Sequence, residues 1–451
     1  MEKLYIKYEL IKNEQFSDRF LVIFPNVPFW MVLDNSYEKL LKNILMDFDH
    51  FKHDCPPELK QIVDIIDKYV IQENSFESKY SLTRQTRLSV AVFDVTNACS
   101  LQCSHCSHNA IPVNSSCTKY MKINTVEKVL DDLQNEGIIG NNTDQETLKF
   151  IHVVGGEPLI HPEIEKIFDL IADAGAIPTL ITNLVDLSTN PNFFINLSKK
   201  SYSYEIGISL DGHCDEINSI TRGKGSYIET INNINKLKEF DIPFSLNPLI
   251  HSHNVKYLKN IIKHHIDLGC REINVLVQKT VGRAVNKNML KIKKVQQEVY
   301  NDLVDICLKD QSIIPFLKDT RFWYYIQSLL KPQKKLSCGL HNPSTAYIRY
   351  NGDLFLCGYM LSNDFKIGNV LNHNVNKLLQ SKNTIELGSK FLVDRLKCSS
   401  CHLKYFCAGG CRAEMIMKDS LIDDVHSDCE KIKNSIHTLM FKLSLHSATF
   451  R

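Results

Sequence analysis

Seven cysteines follow a fixed rhythm in the last third of this chain: Cys338, Cys357, then Cys398-x2-Cys401-x5-Cys407-x3-Cys411, and Cys429. Three more, Cys99, Cys103 and Cys106, lie within eight residues of each other far upstream. The start, Met1 to Glu9, is broken by charges and lacks the apolar core of a signal peptide, so a cytoplasmic chain is expected. In a reducing compartment thiols grouped this way are metal ligands or redox groups rather than disulfides. The other five of the 15 cysteines, Cys55, Cys117, Cys214, Cys270 and Cys307, read as core or incidental thiols.

A length of 451 residues predicts two to three domains. With 43% hydrophobic and 23% charged residues the composition is that of a soluble globular protein. There is no run of 18 apolar residues, so no membrane span is expected. The net charge of +2 gives no reason to expect nucleic-acid binding.

Residues 1–75 read as a small unit: a strand at Phe20–Phe24, a turn at Pro25-Asn26, a second apolar run at Phe29–Leu33, then helical spacing from Ser36 and again from Pro56. Strands followed by short helices predict a winged-helix-like arrangement, and polar residues 72–87 read as a linker. Residues 88–330 alternate strand and helix. Strands are expected at Ser89–Val95, Leu148–Val154, Ile177–Ile181, Tyr204–Leu210, Phe244–Pro248 and Glu272–Val277. Helices are expected at Thr125–Asn135, Pro162–Ala174, Ser226–Phe240 and Val255–Leu268. Such an α/β pattern predicts parallel strands with crossover helices, as a partial (β/α)6 barrel with its site at the strand C-termini. Residues 335–430 read as a cysteine-rich domain held by metal, and 431–451 as a C-terminal amphipathic helix with Ile432, Ile436, Leu439, Met440 and Leu443 on one face.

Cys99-x3-Cys103-x2-Cys106 directly follows the first barrel strand. Three soft thiolates on one loop suit three corners of an iron–sulfur cube and leave one iron open to a chelating molecule. A zinc loop closed by His105 or His108 is the alternative. The motif resembles the signature of the radical S-adenosylmethionine superfamily, with His105 where an aromatic residue is usual. The resemblance implies that these thiolates hold a [4Fe–4S] cluster. Its open iron would bind S-adenosylmethionine, and reduction would cleave it to a 5′-deoxyadenosyl radical.

Further stretches are similar to family motifs in the same order. Gly155-Gly156-Glu157-Pro158 follows the second strand, where glycines admit close backbone approach and a carboxylate can accept from an ammonium group. Thr182-Asn183 ends the third strand, with Leu184 in the place of a usual glycine. Ser209-Leu210-Asp211-Gly212 ends the fourth, and Arg222 follows. The resemblance implies Ser209 and Asp211 near the ribose and Arg222 on the cofactor carboxylate. Asn218-Ser219 replaces a usual His-Asp, and no role is transferred to it. Gly282-Arg283-Ala284 resembles the adenine-side loop.

The seven later thiols suit two zinc ions, with a histidine such as His402 as the eighth ligand, or two four-iron clusters with one iron lacking a cysteine. Their order is similar to the SPASM extension of the superfamily. That likeness implies a nearer cluster on Cys338, Cys357 and Cys411 and an outer one on Cys398, Cys401, Cys407 and Cys429. Three [4Fe–4S] clusters in all are then expected. No cysteine lies between Cys338 and Cys357, so the nearer cluster would have an open iron or take another ligand such as a substrate thiolate. The layout resembles maturases of ribosomally made peptides. Such an enzyme would bind a precursor by its leader segment, draw electrons from a reductant such as flavodoxin or ferredoxin, and form a thioether or other cross-link. Alternatives are a formylglycine-forming sulfatase maturase and a zinc-bound peptide-binding scaffold. Cys117 and Cys214 are expected near the barrel mouth.

Overall fold

The computed structural model describes residues 7–79, 88–140, 148–286, 294–341, 344–418 and 420–450. It opens with an antiparallel sheet of β1 (Glu9–Lys12), β2 (Arg19–Phe24) and β3 (Phe29–Asp34). Alternation along β2 divides its side chains between two faces. Phe20, Val22 and Phe24 enter a small core with Leu41, Ile44, Leu59 and Ile66 of the helices Glu38–Met46 and Pro57–Lys79. Leu21 and Ile23 point the other way, into the main core of the protein. There Phe16 stacks on Phe441 at 4.9 Å, and Trp30 Nε1 donates to the Leu329 carbonyl at 2.8 Å. The first unit is therefore docked on the C-terminal helix Cys429–Leu445. The helix Pro57–Lys79 also occupies the start of the expected 72–87 linker; residues 80–87 lie outside the described residues.

The main sheet begins with β4 (Val90–Asp94), whose exit loop contains the short pair β5 (Ala98–Cys99) and β6 (Ile111–Pro112). It continues through β7 (Phe150–Val154), β8 (Ile177–Thr182), β9 (Glu205–Ile208) and β10 (Ser245–Leu246), all parallel, in the order β10-β9-β8-β7-β4. The helices Ile123–Asn135, Ile164–Asp173, Ser226–Glu239 and Leu258–Asp267 cross over between strands at or close to their expected positions. The fifth and sixth expected strands are short. β11 (Leu249–Ile250) pairs with β12 (Leu276–Val277) as a separate ribbon, joined to β10 by a bridge between Leu246 and Ile273. This curled α/β sheet is consistent with a partial barrel.

The region after residue 335 is more regular than its sequence suggests. β13 (Thr345–Arg349) lies parallel to β4, with Tyr347 opposite Val92 and Arg349 opposite Asp94. β14 (Asp353–Phe355) and β15 (Gly368–Asn369) extend the sheet antiparallel to eight strands. The cysteine-rich segment thus shares a sheet with the barrel across the expected boundary. Ile432, Ile436, Leu439, Met440 and Leu443 are all buried, as the helical spacing predicts. Among the described residues no helix is long and apolar enough to cross a membrane.

Candidate cofactor and cluster sites

The loop leaving β4 carries the first three thiols. Cys99 is held on β5, and Cys99 and Cys103 are 7% and 9% exposed. Burial pushes the Cys99 thiol up, and Glu157, Cys103 and Cys106 push the same way. Sulfurs crowded like this stay protonated unless a cationic centre takes them. Two donors already face one of them: Leu101 N at 3.3 Å and Asn183 Nδ2 at 3.4 Å from Cys99 Sγ. The hydroxyl of Ser100 and Nδ1 of His105 are buried without a partner in the same loop. Buried donors left unpaired are costly, so they indicate a polar occupant.

The loop after β7 packs backbone to backbone against this one. Gly156 N donates to Thr96 O at 2.8 Å and Glu157 N to Ala98 O at 2.9 Å. A Cβ on Gly156 would collide with the Ala98 carbonyl, and one on Gly155 with Thr96. These two positions tolerate only glycine. Glu157 is 1% exposed. Its Oε1 accepts from Leu159 N and the Thr182 hydroxyl, and its Oε2 from Asn183 N. Burial lifts its pKa to about 7 despite those donors. Glu157 therefore ties the third strand end to the second, with spare acceptor capacity on Oε2. Pro158, also buried, starts the short 3-10 turn that fixes Glu157. Leu184 holds φ +56°, the left-handed conformation that a glycine would adopt without strain, and it is fully buried.

Asp211 and Arg222 meet each other. Arg222 Nε donates to Asp211 Oδ2 at 2.7 Å and its terminal nitrogen to Oδ1 at 3.1 Å, a bidentate pair buried at 0% and 9% side-chain exposure. Burial works to raise the Asp211 carboxyl, but Arg222 and His105 outweigh it and hold it at about 2. His105 Nε2 lies 3.6 Å from Asp211 Oδ2, and burial lowers that ring to about 4. Asp211 Oδ1 also accepts from Leu249 N at 2.9 Å. Arg222 is thus engaged within the protein. Ser209 is half-buried, with its N–H on Thr182 O. Asn218 accepts from Asp211 N and donates to the Ser226 hydroxyl, so it positions the fourth strand end. Asn254 and His251, which no motif marked, belong to the same network. Asn254 Nδ2 donates to Asp211 O, and the Nε2 of His251 is buried without a partner.

From the sixth strand, Arg283 N donates to Cys106 O at 3.0 Å and its side chain to Gln102 and Ala110. Gly282, at φ +57°, leaves no room for a Cβ beside the Cys106 and Ser107 backbone. Of the two histidines of the zinc alternative, His105 turns its Nε2 to Asp211 and His108 is engaged at both ring nitrogens. His108 Nε2 shares a 2.6 Å hydrogen bond with Tyr347 OH, and Tyr347 also reaches Asp94, which pairs with Arg349. That buried network joins the cysteine loop to β13 and has no signature in the sequence. Cys117 is exposed in the same exit loop and Cys214 caps the helix Asp215–Arg222, while Cys270 and Cys307 are core thiols.

The later seven thiols separate into two groups. Burial pushes Cys357 up to about 11, with Cys411 and Cys338 adding to it. Burial pushes Cys407 up to about 12, with Cys398, Cys429 and Cys401 adding to it. Cys398, Cys401, Cys407 and Cys429 line one small cavity beside Leu403 and Ile432. Backbone N–H groups two residues on face Cys357 and Cys401, at 3.4 Å each. Such donors stabilise sulfur ligands of clusters. His402 turns away: its Nε2 lies 3.0 Å from that of His437, with the rings stacked. Among the described residues no three His, Cys, Asp or Glu side chains close on a single metal ion. A polynuclear cluster, whose ligands stand farther apart than those of one zinc ion, suits these thiols better.

Comparison with known proteins agrees with this chemistry. Residues 93–265 match the Radical SAM superfamily and residues 338–402 an iron–sulfur cluster-binding domain, SPASM. A PqqA peptide cyclase of Ruegeria pomeroyi is 25% identical over 47% of this chain and 53% of its own length. A cysteine-type anaerobic sulfatase-maturating enzyme of Clostridium novyi is 21% identical over 80% of this chain and 98% of its own. Streptococcus suis SuiB bound to its precursor peptide SuiA superposes with a TM-score of 0.59 at 14% identity, over 94% of this chain and 99% of that one. AnSMEcpe with bound AdoMet and the Cp18Cys peptide gives 0.60 at 16%, over 80% and 98%. At these identities the superpositions establish a shared fold.

Proposed function

Because this chain is a SPASM-bearing enzyme of the radical SAM superfamily, we propose that it modifies a ribosomally made precursor peptide, forming a thioether or other cross-link. What supports this reading is the placing of Cys99, Cys103 and Cys106 on the loop that leaves the first barrel strand, with Cys398, Cys401, Cys407 and Cys429 lining one small cavity. In this reading Cys99, Cys103 and Cys106 hold the cofactor-binding [4Fe–4S] cluster. Cys338, Cys357 and Cys411 hold the nearer auxiliary one, and Cys398, Cys401, Cys407 and Cys429 the outer one. Bound S-adenosylmethionine supplies the hydrogen-abstracting radical. The chain's own residues shape the place it occupies.

The Gly155–Gly156 backbone lies against the cysteine loop, and its carbonyl groups and the free lone pairs of Glu157 would hold the methionine amino group. Asn183 steadies Cys99, and Ser209, half-buried at the fourth strand end, would lie near the ribose. The buried Asp211–Arg222 pair acts as a rigid strut, and the guanidinium donors that Asp211 does not use would remain for the cofactor carboxylate. The N-terminal sheet and helices would recognise the leader, added as a strand to an open sheet edge. Peptide-modifying relatives and a peptide-bound fold neighbour support a peptide substrate.

The test uses anaerobic, iron–sulfur-loaded enzyme, a reductant such as flavodoxin or ferredoxin, and a precursor encoded beside this gene. A loss of two hydrogens from the peptide together with deoxyadenosine supports a cross-link, and about 12 iron per chain supports three clusters. Deoxyadenosine with no change in peptide mass or retention would remove the reading. Conversion of a cysteine or serine to formylglycine would establish the sulfatase-maturase alternative. Bound zinc with no broad visible absorption would establish the scaffold.

A further inference from the structure

We propose that Lys279 selects an anionic substrate sulfur, a cysteine thiolate, at the three-thiol group of Cys338, Cys357 and Cys411. The inference rests on the peptide-maturase reading and assigns it a residue that no sequence motif marked. Lys279 lies two residues beyond β12, at the C-terminal end of the sixth strand. Its Nζ is 3.3 Å from Glu414 Oε2, and Thr280 N donates to Glu414 Oε1 at 3.0 Å. Glu414 comes three residues after Cys411, on the helix Arg412–Ile416. A barrel strand end is thereby clipped to an auxiliary ligand loop.

The Lys279 side chain keeps 22% exposure, and Glu414 also faces His426 Nε2 at 3.8 Å. The groups acting on Lys279 are Glu414, Cys411 and Tyr359, and Tyr300 feels its charge in turn. Four residues further on, Arg283 N binds Cys106 O in the first cysteine loop. Four residues of chain span at most about 14 Å. Lys279 is therefore tied to the ligand loop of the nearer auxiliary group through Glu414 and lies within four residues of the strand-end contact to the first cysteine loop.

A four-iron cluster on three cysteines would keep one ligand place open in the nearer group, and a substrate thiol would fill it only as thiolate, its proton leaving to solvent. That adds a negative charge beside three others. A fixed ammonium at this point offsets the repulsion and favours an anionic sulfur over a neutral hydroxyl. No electron is transferred in this binding step.

The test compares loaded full-length wild type, Lys279→Met and Lys279→Arg. Capped cysteine and capped serine are the probes, followed by the EPR and visible signals of the auxiliary centres. Wild type should respond to capped cysteine and not to capped serine. Lys279→Met should bind capped cysteine about tenfold more weakly, as loss of an opposite charge at this range implies, and Lys279→Arg should recover most of that. Should Lys279→Met lose iron, Glu414→Gln takes its place: it releases the ammonium and should tighten capped-cysteine binding. Unchanged affinity in iron-replete Lys279→Met, no recovery with arginine, or no tightening with Glu414→Gln overturns the role of Lys279 alone. A silent wild type that still modifies peptide overturns cysteine binding at this group, and with it the proposal. A silent wild type that modifies nothing overturns the maturase reading as well.

Discussion

Cys99, Cys103 and Cys106 sit on one loop that leaves β4 and is closed on itself by the β5–β6 pair, whereas the other seven proposed ligands are gathered from residues 338–429 and interleaved. Cys411 acts with Cys338 on Cys357, yet in the sequence it follows Cys407, on which Cys398, Cys401 and Cys429 act. The first loop is buttressed by the Gly155–Glu157 backbone, Asn183 and Arg283, so its shape is set by the barrel. The second region has short helices and half-buried thiols, with Cys338 exposed. Its shape should depend much more on what the thiols bind. Similar ligands can thus be a passenger on a fold or part of what holds it.

Replacing Cys99, Cys103 and Cys106 together by alanine should abolish reductive cleavage of S-adenosylmethionine while leaving the circular dichroism of the barrel intact. Residual cleavage would contradict their ligand role. Chelating iron from the whole protein should, by contrast, open residues 338–429 to protease and hydrogen exchange well before the barrel strands. Equal protection of both regions would erase the contrast between them.

Within the barrel, Asp211→Asn breaks a buried bidentate pair and leaves Arg222 uncompensated. It should cost about 3–5 kcal/mol in thermal or denaturant unfolding. A loss below about 1 kcal/mol would mean that the strut is solvated. Tyr347→Phe removes the hydroxyl shared by His108 and Asp94, the link between the two regions. A loss of about 1–3 kcal/mol is expected, read by unfolding of the loaded enzyme. Leu184→Gly sets two terms against each other. Relief of left-handed strain returns about 1 kcal/mol, but removing a buried leucine costs about 3 kcal/mol. A net destabilisation near 2 kcal/mol should follow; stabilisation would show that the site collapses around the missing side chain.

Much of the fold and of the candidate site is legible in the amino-acid order. The cysteine spacings, the strand–helix alternation and the glycines at 155 and 156 depend on local chemistry: ligand reach along a loop, hydrophobic period, and room for a backbone contact. The expected helices differ from the observed ones by a few residues at their ends. Other features have no local signal. β13 reads Thr-Ala-Tyr-Ile-Arg, and its pairing with β4 on one side and β14 on the other makes it a strand. Arg222 looks like a ligand clamp in the sequence, which cannot show that Asp211, 11 residues earlier, already neutralises it.

What the chain alone determined is its inventory: ten thiols in an order that suits iron–sulfur chemistry, and a parallel α/β pattern to carry them. What only tertiary structure decided is who faces whom. It put Lys279 beside Glu414, turned His402 and His108 away from the thiols, and sent alternate residues of β2 into two different cores. The physical reason is range. Propensity and ligand spacing act over a few residues, whereas ion pairing, burial and strand register join positions hundreds of residues apart, which no local pattern records.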